Sequence, residues 1–534
     1  MSRVIFDDQP VAPQVDPGRA DIACFVGLVR VLPGATLPAA TVSWLTSRGY
    51  SAARIAQITN VPVLLERYVG FTSIFDDGSK GTGFGTDYVA AAVRSFFAQG
   101  GRRCYVVRVG DPLGTKDTPQ DKTAKLNSLL PNSTSGPDVA DSWTGVSSLA
   151  ALEDVSFLVT PDLPALCASK QDAATGQVPA KPSGPEVFVE CSQGDITPQQ
   201  YRTFPSPAPR LTAADYDTWG KSLAAILNYL SNGIFTHQLH LREVQFVGAL
   251  PIPQDLDAAT AAENPSSAEI AQDLHQVISK QMPEIVIPVG IVPAGNISSS
   301  FLQLSYPWLK TSGSGALLES LEPPDGALTG LLARNALTRG TFTSATKITP
   351  AEIYDVSPAL PDWEMRSSEQ PLVWGIHWPT AQPKPLIERL SLFGFTPSGL
   401  RLLSDVTAYP GESYRSAPVN RLVSVICRAA RRMGESAVFQ PNGPALWGRV
   451  QRFLQNLLTR LWTLNALAGA SVKDAFTVRC DRTTMTQNDL DNGRLICEVT
   501  FTAASTIETI TVKLAMETSA TSAQEITASF AEVS

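Results

Sequence analysis

A chain of 534 residues is too long for one small hydrophobic core and predicts two or three domains. Its 43% hydrophobic and 17% charged residues exclude a disordered polymer, and a net charge of −8 argues against a general nucleic-acid binder. No apolar run reaches membrane-spanning length and MSRVIFDDQP lacks a signal peptide's apolar core, so cytoplasmic assembly without direct membrane insertion is expected.

Residues 1–20 read as an arm, with Val4-Ile5-Phe6 followed by Pro10, Pro13 and Pro17. An apolar triplet on a proline-spaced tether folds poorly alone; it either adds a strand to another sheet or frays. The continuous apolar run Ile22 to Val29 predicts a buried strand. Asp87 is placed to cap a helix with Val89, Ala92, Val93, Phe96 and Phe97 on one face. Gly100-Gly101 stops it, and Cys104 to Val109 is the next buried strand. Strand, helix, strand with short turns predicts an α/β layer.

Between Gly110 and Gly145 the chain turns polar and predicts an inserted surface loop. Leu149 to Pro161 gives a short helix and a buried strand, and 171–210 is a proline-rich excursion. A helix over 211–232, a strand at Val244 to Leu250, a helix near 267–281 and a strand at Ile285 to Val292 follow. Leu304 to Lys310 reads LSYPWLK, with Pro323-Pro324-x-Gly326, Gly330 to Arg334 and Arg339-Gly340 beyond it.

From Asn420 to Asp481 the pattern becomes dense. Leu422, Val423, Ile426, Ala429, Ala430 and Met433 recur at helical spacing, with Arg421, Arg428, Arg431 and Arg432 off that face. Gly434 is positioned to end the helix, and Ser436 to Gln440 reads as a buried strand. Asn442-Gly443-Pro444 opens a second helix whose apolar face runs from Leu446 and Trp447 to Leu461 and Trp462. Ala475 to Cys480 closes the unit as a strand. Two further strands, Arg494 to Ala503 and Thr509 to Met516, complete the chain.

These residues resemble a known family. Phe439-Gln440-Pro441-Asn442, Leu446-Trp447, Leu461-Trp462, Ala466-Leu467, Gly469, Ala475-Phe476 and Arg479-Cys480-Asp481 resemble, in order, the C-terminal domain of contractile phage tail sheath proteins. Phe25-Val26-Gly27, Phe96-Phe97, Gly100-Gly101, Cys104 to Val109 and Tyr306-Pro307-Trp308-Leu309-Lys310 are similar to the sheath core. Departures are Asp325 and Asn335 within the core motif, and the absence of the family's usual opening and closing motifs.

The resemblance implies an α/β protein in which an outer subtilisin-like domain is inserted into an α+β inner domain built from both chain ends. The expected divisions are a linking arm (1–20), a first core part (21–110), a surface loop (111–145), the outer domain (146–415), the C-terminal inner domain (416–508) and a strand and tail (509–534). It implies a structural subunit that stacks as hexameric rings around an inner tube protein, between baseplate and terminal cap proteins, and contracts from a metastable extended state. Strand exchange between subunits would fall to Val4, Ile5, Phe6, Thr511, Val512 and Leu514. Residues 421–460 hold seven arginines against one acid, Glu435; docking on the tube or a neighbour would fall to Arg428, Arg432, Arg449, Arg452 and Arg460. A variant sheath or baseplate-proximal cap is the alternative within this class.

Chemistry finds little support. Gly78 to Gly85 is glycine-rich, but neither a P-loop nor a dinucleotide fingerprint fits it, so a flexible loop is expected and no cofactor. An α/β hydrolase would need an oriented imidazole and an oxyanion hole. His237, His240, His275 and His377 have no catalytic context, and Ser314 in Gly313-Ser314-Gly315 is no nucleophile elbow. His237 and His240 could share a helix face with a metal but lack a third ligand; a surface pair is expected. Seven scattered cysteines without a CxxC predict buried free thiols.

Overall fold

The computed structural model describes residues 20–78, 86–114, 117–132, 140–169, 208–232, 239–253, 299–360, 362–366, 385–409, 412–437, 440–488, 495–504, 512–514 and 528–530. Val4, Ile5, Phe6, the 79–85 stretch, His237, His275, His377, Thr511, and the helix and strand expected at 267–281 and 285–292 lie outside them.

The apolar run at 22–29 becomes β1 (Ala23–Leu28), buried at every position. After the short helices α1 (Ala39–Ser47), α2 (Ala52–Gln57) and α3 (Tyr68–Ile74), β2 (Pro62–Leu65) and β3 (Cys104–Gly110) join it. The sheet continues through β4 (Phe157–Val159), β6 (Gln245–Ala249), β8 (Leu302–Tyr306), β11 (Ser391–Thr396) and β12 (Gly399–Leu402). Its spatial order is β12-β11-β8-β6-β4-β1-β3-β2. The six inner strands run parallel, and β2 and β12 close the edges antiparallel. Continuous hydrophobic strands demand cover on both faces, which the intervening helices supply. β5 (Arg210–Leu211) and β7 (Ile252–Pro253) pair beside this sheet, as do β9 (Trp308–Thr311) and β10 (Ile353–Ser357).

Strands from residues 21–110 and from 146–402 therefore share one sheet. β1 at Ala23 is paired to Cys104 on one side and Phe157 on the other, which makes it an interior strand, third from the β2 edge.

Two helices form the packing seam under the sheet. α4 (Tyr88–Ala98) carries the predicted apolar face, but the Asp87 side chain makes no cap hydrogen bond; its carboxyl is buried, and burial raises its pKa. After α5 (Pro119–Leu129), α6 (Leu163–Cys167) and α7 (Ala213–Asn232), helix α8 (Asp325–Thr338) lies directly on α4. A Cβ on Gly326 would sit 2.4 Å from Ala92 Cα, and one on Gly330 2.5 Å from Phe96 O. The two glycines are what let the backbones meet.

Three expectations need correction. The supposed surface loop 111–145 contains α5, opened by a capping box in which Thr118 and Asp121 bond each other's backbone N–H, with Leu126 and Leu129 in the core. The strand expected over Ser436 to Gln440 does not start at Ser436: following α9 (Asp362–Arg366) and α10 (Glu412–Arg415), helix α11 spans Ala417–Ala437, running through Gly434 and taking in Ser436 and Ala437, while 438–439 lie outside the described residues. His240 is no surface residue; it is buried on a 3-10 turn, with Nε2 3.2 Å from Leu149 O.

A second hydrophobic core forms from α11, α12 (Pro444–Thr463), α13 (Val472–Ala475) and the antiparallel pair β13 (Phe476–Arg479) and β14 (Glu498–Phe501). Leu422, Ile426, Ala429 and Met433 of α11 meet Leu446, Val450, Leu454, Leu457, Leu458 and Leu461 of α12 there. β15 (Val512–Leu514) and β16 (Ala528–Phe530) pair antiparallel.

Candidate functional site

Helix α11 is two-sided. Its apolar face belongs to the second core, while its arginines reach into the large sheet domain. Arg421 forms a two-pronged contact with Asp405, Nη2 to Oδ2 at 2.7 Å and Nη1 to Oδ1 at 3.0 Å, and its Nε donates to Thr341 O. Asp405 also accepts from Ala345 N and Gln303 Nε2, both at 2.9 Å, and Gln303 bonds Ser391 on β11. Burial alone would raise Asp405, yet the Arg421 charge and these hydrogen bonds outweigh it and hold the carboxyl below its usual range.

Two turns along, Arg428 Nε donates to Glu243 Oε2 at 3.1 Å, and its other nitrogens to Ser156 Oγ and Val155 O. Arg431 takes the second Glu243 oxygen at 2.7 Å and also pairs with Glu435. Arg421, Arg428, Asp405 and Glu243 are each under 5% exposed. A planar guanidinium satisfies several acceptors at once, which suits it to a buried joint where a lysine would leave acceptors unpaired.

Arg428 is thus not available for docking: its guanidinium is consumed inside the chain. Arg432 is half-buried on the same helix. The other three predicted residues lie on α12, where Arg449, Arg452 and Arg460 are exposed. Their spacing puts them within one stripe of the helix. Arg449 donates to Gln440 Oε1 at 2.6 Å. Among the described residues Arg452 and Arg460 form no ion pair. The structure separates the expected set into a buried joint on α11 and an exposed cationic stripe on α12.

Of the strand-exchange residues, Val512 and Leu514 lie in β15, whose partner here is the chain's own β16. Ser314 is buried in a turn, donating to Thr311 O and Ser320 O, so its hydroxyl is occupied by backbone. No group of three metal-ligating side chains occurs among the described residues, and no helix there is long and apolar enough to cross a membrane.

No protein-family model and no curated protein matches the sequence. Solved structures do match, and over almost the whole chain. A chain of the anti-feeding prophage baseplate, six-fold symmetrised, aligns with 97% of this chain and 99% of its own, at TM-score 0.54 and 17% identity. This chain has the contractile-sheath fold. A chain of the PVC sheath complex, an extracellular contractile injection system in its contracted state, covers 96% of both chains at TM-score 0.51 and 17% identity. The anti-feeding prophage helical sheath in its contracted state covers 96% of this chain and 98% of its own, at TM-score 0.53 and 18% identity.

In the sheath fold of this chain the motif residues have structural work. Phe25-Val26-Gly27 lies in the interior strand β1, Tyr306 to Lys310 joins β8 to β9, and Gly326 and Gly330 hold α8 against α4. Sequence reasoning missed Asp405 and Glu243, the partners of the α11 arginines. Each is an isolated acid, and nothing local marks it as buried.

Proposed function

We propose that the protein is a structural subunit of a contractile sheath in a phage tail or an injection particle assembled in the cytoplasm, and not an enzyme. The observation that carries this reading is the near-complete coverage of both a sheath chain and a baseplate chain by one fold. Subunits would stack as six-fold rings around an inner tube, with baseplate and cap proteins at the ends. The arm 1–20 and the tail from 509 would donate strands to neighbours, which shares backbone hydrogen bonds across copies.

The cationic stripe Arg449, Arg452 and Arg460 would dock on an acidic face of the tube or of a neighbouring subunit. Contraction would draw on a metastable extended state whose interfaces rearrange to bury more surface, with no nucleotide required. The two-sided α11 supports the mechanical role, because force on the second core reaches the large sheet through buried ion pairs. A second reading, a variant subunit at the baseplate end, is favoured by the likeness to a baseplate chain in the contracted state, at TM-score 0.55.

Truncation tests the arms. Deleting residues 1–20, or the chain from 509, should leave a folded subunit that no longer polymerises. Normal tubes from either truncation would refute strand exchange.

A further inference from the structure

Just past the ends of β13 and β14, the register of the pair brings two thiols opposite each other. Thr502 N donates to Ala475 O at 3.1 Å, which makes 475 and 502 a hydrogen-bonded pair. The register is unbroken from Phe476↔Phe501 to Arg479↔Glu498. Antiparallel pairs alternate between hydrogen-bonded and non-hydrogen-bonded sites. Counting along the ladder, 477/500 and 479/498 are hydrogen-bonded sites, and the same register carried one step past its last pair sets Cys480 against Cys497 at a non-hydrogen-bonded site. Such sites bring Cα atoms to about 4.5 Å, inside the roughly 4.4–6.8 Å range that a disulfide spans.

The side chains agree with the backbone. Both cysteines are free thiols, and each perturbs the other through a side-chain interaction. Cys480 is buried in the second core, while Cys497 is partly buried at its edge. One partner is therefore reachable from solvent, and the other is held in place behind it.

We propose that Cys480 and Cys497 are a covalent modification site, closing to a cross-strand disulfide when the chain meets a small-molecule disulfide such as oxidised glutathione. The Cys497 thiolate attacks one glutathione sulfur and displaces the other as a thiolate. The Cys480 thiolate then attacks the Cys497 sulfur and releases the second glutathione. Two protein thiols lose two protons and two electrons, and one oxidised glutathione becomes two reduced ones. Burial pushes the Cys497 thiol up to about 12, with Cys480 adding to the shift, so little thiolate is present at neutral pH and closure is slow. The bond would clamp the strands from which the C-terminal tail departs, tying Asp481 to Ile496 into a closed loop.

The test is oxidation of the full-length protein with oxidised glutathione, followed by non-reducing digestion and peptide mass mapping. The expected product is a peptide pair joined through Cys480 and Cys497, absent after reduction, and a higher thermal midpoint for the oxidised protein. In Cys497→Ser, a one-atom change at a partly buried position on the rim of the core, Cys480 should stay a free thiol under the same treatment. A glutathione adduct persisting on Cys497 beside free Cys480, a link to any other cysteine, or two unreacted thiols would each overturn the proposal.

Discussion

At the scale of single residues, the decisive group is the Arg421–Asp405 joint. Both side chains are at most 3% exposed, so removing one partner strands the other's charge in the core. Arg421→Met should cost about 3–5 kcal/mol in denaturant unfolding. Combining it with Asp405→Leu should recover a large part of that loss, because no unpaired charge remains. A second residue-scale outcome concerns Glu322, which accepts from Ser95 Oγ and Thr311 Oγ1 between α4, β9 and α8. Burial raises its carboxyl from 4.5 to about 8. Between those values the unfolded chain has released this proton and the folded chain has kept it, so stability falls as pH rises and levels off above about 8. Glu322→Gln should flatten that fall in stability measured across the same range. None of these acids was legible in the sequence, since burial of a lone carboxylate depends on strands far away in the chain.

At the scale of elements, periodicity was a good guide wherever one face met a core. The helices at 88–98, 213–232 and 444–463 and the strands at 23–28 and 104–110 follow directly from their apolar spacing. Short runs were harder. Ser436 and Ala437 begin an apolar stretch too brief to separate strand from helix by pattern, and Gly434 looked like a terminus. In the structure Gly434 lies within the last turn of α11 and is exposed, and a Cβ there would meet nothing within 4 Å. Gly434→Ala should therefore stabilise the chain by about 0.5–1 kcal/mol. Gly330→Ala makes the same chemical change at the α4–α8 seam, where the new methyl would press on backbone, and should destabilise by about 1–3 kcal/mol. Thermal unfolding of the two variants should show shifts of opposite sign.

At the scale of the whole molecule, the large sheet and the second core are distinct bodies of packing that meet along α11, with Phe342 packed against the second core beside it. α11 gives Leu422, Ile426, Ala429 and Met433 to one and its arginines to the other, so a load on the C-terminal unit is carried into the sheet without a loose linker at that point. This bears on the account of contraction: α11 should move with the large domain, and the exposed stripe on α12 should be what meets the next protein. Reversing charge there, with Arg452→Glu and Arg460→Glu together, should leave circular dichroism and thermal unfolding unchanged while weakening sedimentation with assembled particles. The sequence motifs pointed to this class because they mark tight places of the fold, Gly326 and Gly330 among them. They did not show that residues 21–110 enter the same sheet as 146–402, because parallel pairing is non-local.

A sheath subunit polymerises, and negative-stain electron microscopy of the purified full-length protein shows whether this one does. Striated tubes or six-fold rings are expected, with rings alone supporting the baseplate-end variant; isolated monomers at every concentration tried, with the partner tube protein present, would refute the sheath reading.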